Sequence, residues 1–539
     1  MQTVPTITSG LKKYKGKWTI NQASHLAKRT MFGAAKQDVA VFAAKSLRHA
    51  IEDLLETQEE TPLPPLNAYN DVNYVDVEIP QGATWVTATK QTGMEVGRRK
   101  TSYKAWWTSL MLNQQRTLRE KMVLFWHNHF STESNQVDNA TASYKHNILL
   151  RQYALGNFKS LVKAVTLDAS MLRYLNGNSN TKKAPDENYG RELQELFTVG
   201  KGSKSVYTED DVKAAAKVLT GFKVEGKVLP NIHGLFNATM HDESDKQFSA
   251  FYNNTIIKGR KGKEGEQELD DMLDMIFQQE EVSKFICRKL YRYFVYYKID
   301  DDVEKNIIMP LAKTFRKNNY EIKPVLTELL SSQHFFDAAN FGSIIKNPVD
   351  FCVGLCREFN VVFPDDTDIV SQYNLWNTLQ TNASQMQMNI GDPPNVAGWP
   401  AYYQAPNFDK VWVNSDTLPK RNIFSDKMVN GGYYRGKKNF VIDVVGFTKT
   451  MSNPADPLAL INESIQRLYQ MDLPDKEKIY MKNDILLSGL QGMMSDHYWT
   501  DAWQKITEKP DDIANKKDVT NKLKNLYKYL MNLPQYQLC

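Results

Sequence analysis

The stretch that decides the fold is KQDVAVFAAKSLRHAIEDLLE, residues 36–56. From Leu47 to Leu55 its large apolar residues fall at positions i, i+4, i+7 and i+8, which places them on one face of an α-helix. The same periodicity recurs in residues 102–126, 207–222, 268–279, 280–297 and 306–318. The sequence therefore predicts a mainly α fold, a large single-domain multi-helix bundle with small β-hairpins and long ordered loops.

The remaining segments indicate how the helical body is organised. Strand-like alternation is confined to residues 85–89, 222–230 and 439–447 and predicts small hairpins. Residues 57–100 are rich in Pro, Asn, Gly and Thr and are predicted to form a long loop or lid. Because no Pro/Gly/Ser-rich linker divides the chain, residues 1–539 are predicted to be one domain, with 420–539 a C-terminal helical subregion packed on the main body.

Composition bears on several classes of partner. The chain has 539 residues, and its apolar runs fall far short of the roughly 18 residues that a membrane-spanning helix needs, so no transmembrane segment is predicted. The net charge of +5 is spread along the chain, which does not favour nucleic-acid binding. The first residues have no apolar core typical of a signal peptide, so localisation stays open between a cytoplasmic protein and an exported one whose leader was removed.

The segment KMVLFWHNHF, residues 121–130, ends an apolar run with two histidines. On a continuous helix, at about 100° per residue, His127 and His129 would point about 200° apart and could not bind one ion. The turn-forming residues that follow predict that the helix ends at Trp126 or His127, which would let both rings face one site. The alternative is a pair of buried histidines that hydrogen-bond to the backbone.

A second polar segment occupies residues 176–200, where an acidic first turn and a glycine stop predict a helix. Glu192 and Glu195 are i, i+3 neighbours that could bind one cation or share one proton. Glu187 and Arg191 are i, i+4 neighbours, and Arg191 could hold a nearby carboxylate ionised. The alternative is the exposed face of an ordinary surface helix.

A third segment, residues 237–248, contains His241 and Asp242 in a predicted loop that could reach a cleft or lie on the surface. Together the three segments offer nitrogen and oxygen ligands of the kind that suit zinc, iron or manganese. The predicted metal ligands are His127, His129, Glu187, Glu192 and His241. The predicted catalytic residues are Glu195, Arg191 and Asp242. The other histidines are interpreted as structural or exposed: His25, His49, His146, His233, His334 and His497.

Several longer motifs resemble the "domain of unknown function 1800" family of bacterial proteins. They include HLAKRTMFGA from His25, EKMVLFWHNHF from Glu120, DENYGRELQELFTVGKG from Asp186 and PPNVAGWP at 393–400. The resemblance extends over essentially the whole chain, and the Asn and Lys usage resembles that of a Bacteroidota member. It places the family's signature polar positions at His127, His129, Glu187, Asn188, Arg191, Glu192, Glu195, His241, Asp242 and Lys246.

The family resemblance also implies a partner. Genes of such proteins commonly lie beside those of a second family, "1501", which is similar to sulfatases and alkaline phosphatases. Three functions stay open: a metal-dependent hydrolase or group-transfer enzyme, an iron-dependent oxidoreductase, and a non-catalytic binding or assembly protein that acts with the sulfatase/phosphatase-like partner. In the last, the polar segments would fix helix packing and present a groove. Of these, the metal-dependent enzyme is the first hypothesis.

Overall fold

Helices make up most of the chain, which confirms the mainly α prediction. The structure is a computed structural model. It describes residues 9–56, 61–90, 93–202, 205–229, 231–435, 438–490 and 494–539. Side chains from early and late helices, such as Leu26, Trp126, Leu290 and Tyr527, belong to the same buried hydrophobic cluster. The described residues therefore form a single compact domain.

The α-helices follow one another in a long series. In chain order they are α1 (Ile20–Thr30), α2 (Lys36–Ala44), α3 (Leu47–Leu55), α4 (Gly93–Leu112), α5 (Arg119–His129), α6 (Ser134–Val137), α7 (Ala140–Gln152), α8 (Phe158–Thr166), α9 (Ala169–Tyr174), α10 (Asn188–Glu192), α11 (Glu209–Val218), α12 (Glu268–Phe277), α13 (Glu280–Phe294), α14 (Asp301–Val303), α15 (Met309–Lys317), α16 (Ile322–Leu330), α17 (Pro348–Glu358), α18 (Ile369–Gln385), α19 (Thr417–Asn430), α20 (Val444–Lys449), α21 (Pro457–Leu468), α22 (Asp475–Tyr480), α23 (Ser495–Glu508) and α24 (Ile513–Asn532). Segments of π-helix continue α10, α14 and α22 at Leu193–Thr198, Glu304–Ile308 and Met481–Leu486.

Local chemistry explains where several helices begin and end. Residues 36–56 divide at Lys45 into α2 and α3, because the Ser46 side chain caps α3 by accepting from the His49 N–H. The long apolar stretch 102–126 is likewise divided between α4 and α5. Thr208 caps α11 with a capping box, which explains why this helix begins at Glu209.

The β-strands of the described residues form small antiparallel hairpins. They pair β1 (Phe222–Glu225) with β2 (His233–Phe236), β3 (Lys246–Gln247) with β4 (Ile256–Ile257), and β5 (Tyr433–Arg435) with β6 (Lys438–Phe440). The prediction of a strand at 85–89 is wrong, because Trp85 turns inward and its Nε1 donates to Ser102 Oγ at 3.0 Å. In the segment 439–447 only the first two residues extend a strand, and α20 occupies its end.

Two predicted subregions can be located on this fold. In the predicted loop 57–100, residues 61–90 are irregular and residues 93–100 belong to α4, while 57–60 and 91–92 lie outside the described residues. The loop is tied down by Arg99, which is bound to Asp76 at 2.8 Å with both side chains buried. In the C-terminal part, α19 packs against α17, α18 and α24. No helix of the described ranges is long and apolar enough to span a bilayer.

Candidate functional site

Helix α5 continues through the HNH tripeptide. The Phe130 N–H donates to the Trp126 carbonyl at 2.7 Å, and the helix ends only after His129. The expectation that the helix stops at Trp126 or His127 is therefore wrong. Residues of α5 are buried on every side, and a buried backbone must keep its hydrogen bonds, so the helix persists to its last buried turn. The two rings leave the helix about 200° apart and enter different surroundings.

His127 faces a buried aromatic wall. Its ring centroid lies 5.0 Å from Trp107 and 5.9 Å from Trp399. Burial lowers the pKa of His127 to about 3, with a smaller effect from nearby His146, so the ring is neutral at pH 7. Within the described residues neither His127 Nε2 nor Trp107 Nε1 has a hydrogen-bond partner. His127 thus offers a neutral imidazole nitrogen that is not used by the fold.

A polar chain extends inward from His127. The ring of His146 lies 6.3 Å from it, with Nδ1 3.0 Å from Asp168 Oδ2 and Nε2 3.2 Å from the Phe130 carbonyl. Asp168 Oδ1 is buried and lacks a partner among the described residues. Buried polar atoms in native proteins usually bind protein, water or ligand groups, which makes this cluster, here called the His127 chamber, a candidate site.

His129 lies on the other side of α5 and is fully engaged by the protein. Its Nε2 is 3.0 Å from the Phe197 carbonyl, at the end of the π-helical segment that follows α10. Because a carbonyl only accepts, Nε2 carries the proton and Nδ1 is an acceptor, 2.9 Å from Lys289 Nζ. Burial, with a smaller effect from Lys289, holds the pKa of His129 well below its usual value. His129 therefore ties α5 to the end of this helix and to α13.

The second polar segment forms a part-exposed cluster. Arg191 makes the predicted i, i+4 contact with Glu187 at 3.1 Å and also donates twice to Glu209 at 2.7 Å. Glu195 binds Lys201 at 2.8 Å. Burial, and then the neighbouring Glu195, raise the pKa of Glu192. These carboxylates are thus mostly paired with cations of the chain itself.

The third segment is largely exposed, but its His241 and Lys246 side chains are buried. His241 is 1% exposed, with Nδ1 2.9 Å from the Thr220 carbonyl and Nε2 3.2 Å from Glu268 Oε1. Lys246 Nζ binds the other oxygen of Glu268 at 2.5 Å. Asp242, half-buried, accepts from the Ser244 N–H at 2.8 Å. The signature positions His241 and Lys246 therefore meet on one carboxylate that the sequence analysis did not select.

The predicted ligands do not assemble into one centre. Across the ranges that the structure describes, no group of three or more His, Cys, Asp or Glu side chains is placed to hold a metal ion. The physical reason begins with α5, because a regular helix sends its two histidines to opposite sides. The predicted set divides among separate surroundings: His127 in the chamber, His129 at Phe197 and Lys289, His241 at Glu268, and Glu187 and Glu192 at the two ends of α10. Of the predicted catalytic residues, Arg191 and Glu195 lie beside Glu192, and Asp242 lies beside His241.

An open groove of about 800 Å³ lies against the His127 chamber. Trp399 belongs to both, because it lines the groove and packs on His127. The middle residue of HNH holds this wall, since Asn128 Oδ1 accepts from the Trp399 N–H at 2.9 Å. Gly398, with φ +90°, permits the close approach: a Cβ there would lie 2.3 Å from Asn128 Oδ1. This groove is here called the amide groove, and its polar lining residues are Ser384, Gln387, Asn389, Asp392, Gln404, Asn407, Lys410 and Asn414.

Several of these residues escaped the sequence analysis. His146, which the sequence indicates to be structural or exposed, is buried and contacts Asp168, the N-cap of α9. The sequence contains an indication of this role, because two adjacent polar residues, His146 and Asn147, interrupt the apolar pattern of α7. Lys289 and Glu268 carry no such local signal, since each lies in an ordinary amphipathic helix.

The fold and site define a mainly α protein in which helix α5 carries two histidines. His127 lies on one side of this helix in the buried polar chamber, and His129 lies on the other side, where both ring nitrogens contact the protein. The chain belongs to the family described as "Protein of unknown function (DUF1800)", which matches residues 25–538. This confirms the family resemblance read from the motifs. No curated protein and no solved structure matches the chain.

Proposed function

We propose that this chain is a binding or assembly protein that presents the amide groove to a partner protein. The observation that supports it most is that the predicted site residues bind other parts of the chain. His129 joins α5 to α13, His241 joins the loop after β2 to Glu268, and Arg191 joins α10 to α11. Networks of this kind fix the packing of helices and give a surface a defined shape.

The lining of the groove suits a polypeptide segment. Side-chain amides carry one acceptor and two donors, so they can pair with backbone N–H and C=O groups. Gln404 and Asn407 are exposed, and their side chains make no hydrogen bond within the described part of the chain. Trp399 and Trp412 are buried walls, which keeps the groove preformed and lowers the entropy cost of binding. The partner we propose is the sulfatase- or phosphatase-like protein of the neighbouring "1501" family.

The test measures the affinity of the purified chain for a "1501" family protein by biolayer interferometry. Replacing both Gln404 and Asn407 by Ala removes amides worth about 1 kcal/mol each, so the affinity should fall by tenfold or more. Gln278→Ala, which removes an exposed amide at the end of α12, is the matched control and should bind like the wild type. Unchanged affinity of the double variant, or no binding by the wild type, would contradict the proposal.

The second candidate is the metal-dependent enzyme, a hydrolase or group-transfer enzyme in preference to an iron-dependent oxidoreductase. The observation that favours it is the neutral His127 with its free Nε2, because transition metals bind neutral imidazole nitrogen. Zinc, iron or manganese would be the ion. Metal analysis of wild type and His127→Ala, with thermal melts with and without a chelator, separates the candidates. A near-stoichiometric metal that is lost in His127→Ala supports the enzyme, whereas equal metal content and chelator-independent melting support the binding protein.

A further inference from the structure

A second cavity, of about 490 Å³, lies in the C-terminal subregion. Its walls come from the end of α19, from residues 441–449, from the end of α23 and from the first half of α24, against which α20 and α23 both pack. Buried apolar side chains form its floor, among them Val429, Ile442 and Ile506. The volume is typical of a small-molecule site, for which about 300–1,000 Å³ is usual.

The charged lining of this cavity, here called the lysine cavity, is mostly cationic. Its cations come from three different walls and are Lys449 at the end of α20, Lys509 directly after α23, and Lys516 and Lys524 on α24. The acidic residue among the described lining residues is Asp443. Its carboxylate is used as the N-cap of α20, where it accepts from the Gly446 N–H at 2.9 Å.

The chain does not neutralise these four ammonium groups. Lys524 donates to the Asn430 carbonyl at 2.9 Å, which is an uncharged partner. Among the residues whose positions are described, no carboxylate lies within ion-pair distance of any of the four. By contrast, Lys505, one helical turn before Lys509, is paired with Asp501 at 2.6 Å. A concave site lined by charges of one sign concentrates ions of the opposite sign, so the lysine cavity attracts anions.

The type of cation and the apolar floor indicate which anion fits. Arginine, whose planar fork matches a carboxylate, is absent from the lining that the structure describes. Lysine acts as a point charge and is a common phosphate ligand. Lys516 and Lys524 are eight residues apart and therefore lie on about the same face of α24. A ligand that carries both a phosphate and an apolar group would use the cations and the floor together.

We propose that the lysine cavity binds a phosphate monoester of an apolar group. The phosphate carries about two negative charges at pH 7 and is bound by the ammonium groups at the cavity walls. The apolar group packs on the floor formed by Val429, Ile442 and Ile506. Two sources share this chemistry, a soluble ester and the phosphatidic acid of a membrane, and the experiment distinguishes them.

The experiment uses the full chain and two probes. Isothermal titration calorimetry at pH 7 measures binding of 1-naphthyl phosphate, and co-sedimentation measures binding to phosphatidylcholine vesicles with and without phosphatidic acid. Saturable binding of 1-naphthyl phosphate identifies a soluble ester as the source, and binding to the phosphatidic acid vesicles alone identifies the lipid. Inorganic phosphate should bind at least about tenfold more weakly than the naphthyl ester, because it buries no apolar surface on the floor.

The decisive variant combines Lys516→Gln with Lys524→Gln. Hydrogen bonds to charged groups are strong, so the loss of two ammonium groups should weaken probe binding by at least about tenfold. The matched control combines Lys517→Gln with Lys522→Gln, on the same helix and outside the cavity lining. Both double variants remove the same charge, and each includes one lysine whose Nζ donates to a backbone carbonyl. The control should bind like the wild type.

The wild-type measurement does not depend on any variant folding. If the first double variant melts at a lower temperature, Lys449→Gln tests the cavity from the opposite wall and should also weaken binding. The proposal would be overturned if neither probe bound the wild type saturably, if the two double variants lost affinity equally, or if Lys449→Gln bound like the wild type. The outcome is independent of the amide groove, because no described residue lines both.

Discussion

The protein contains two small clusters of ionisable side chains, one buried and one on the surface, with similar contact distances. The buried cluster consists of His241, Lys246 and Glu268, and each side chain is at most 1% exposed. The surface cluster consists of Glu187, Arg191 and Glu209, which are 38%, 33% and 67% exposed. Contacts within both are between 2.5 and 3.2 Å. The attraction between two charges is stronger in less polar surroundings, and so is the cost of leaving one of them unpaired. The two clusters therefore differ in how much they contribute to stability.

The buried cluster holds a long loop closed. Glu268 is the first residue of α12, where the helix dipole favours a carboxylate, and it also accepts from the Arg260 N–H at 2.6 Å. Burial alone would raise the pKa of Glu268, but hydrogen bonds from His241, Lys246 and Arg260 bring it below the usual value. Gly265 lets the chain pass close to the ring, since a Cβ there would lie 2.5 Å from His241 Cδ2. The signature positions His241 and Lys246 therefore have a structural role that requires no ligand.

The largest expected effect is that of Lys246→Met. The change leaves the Glu268 carboxylate buried without its ammonium partner, so the free energy of unfolding should fall by about 3–5 kcal/mol. Urea unfolding at pH 7, followed by circular dichroism, measures it. The matched control is Lys258→Met, just beyond β4 and opposite the same strand, where the exposed pair with Asp245 is removed. Equal losses in the two variants would mean that burial does not distinguish these ion pairs.

A second expected effect concerns pH and the His127 chamber. His127 has a pKa of about 3 in the folded chain and about 6.5 when unfolded, so the unfolded state binds a proton more readily. The stability that this ring contributes is complete above pH 6.5 and is lost as the pH falls towards 3, by about 1.4 kcal/mol per pH unit.

The variant His127→Gln should therefore reduce the slope of the free energy of unfolding against pH. Between pH 6.5 and 4 the reduction should equal the contribution of about one bound proton. Urea unfolding at several pH values measures the slope. The exposed His49, replaced by Gln, is the control and should leave the slope as in the wild type. Parallel slopes for wild type and His127→Gln would show that His127 is protonated, or exposed to water, in the folded protein.

The fold was predictable to the extent that its signals are local. The apolar spacing of residues 47–55 depends on neighbours three or four positions away, and the helix that it predicts is confirmed. The strand at 85–89 was mispredicted because Trp85 is buried by a tertiary contact with α4. The division of the apolar stretch 102–126 also depends on packing that a helical wheel does not contain.

The site was predictable only in part, because its decisive contacts join distant residues. The sequence selected His129, but its partner Lys289 lies 160 positions away. It selected His241 and assigned it to a metal, whereas Glu268 supplies the contact. Residue types and spacing identify side chains that could bind a ligand or take part in catalysis. Whether these side chains contact a ligand or one another depends on the fold.

The smallest expected effect is that of Arg191→Met in the surface cluster. Exposed ion pairs contribute little, because water screens the charges and both side chains lose freedom, so the free energy of unfolding should change by no more than about 1 kcal/mol. The same urea experiment, repeated at about 1 M NaCl, sharpens the contrast: salt should abolish this difference while the loss in Lys246→Met persists, since buried pairs are screened far less. Arg191→Lys, which keeps the charge but not the paired donors, is the control. A loss of several kcal/mol in the free energy of unfolding of Arg191→Met that does not depend on salt would contradict this expectation. The surface cluster would then behave like the buried one.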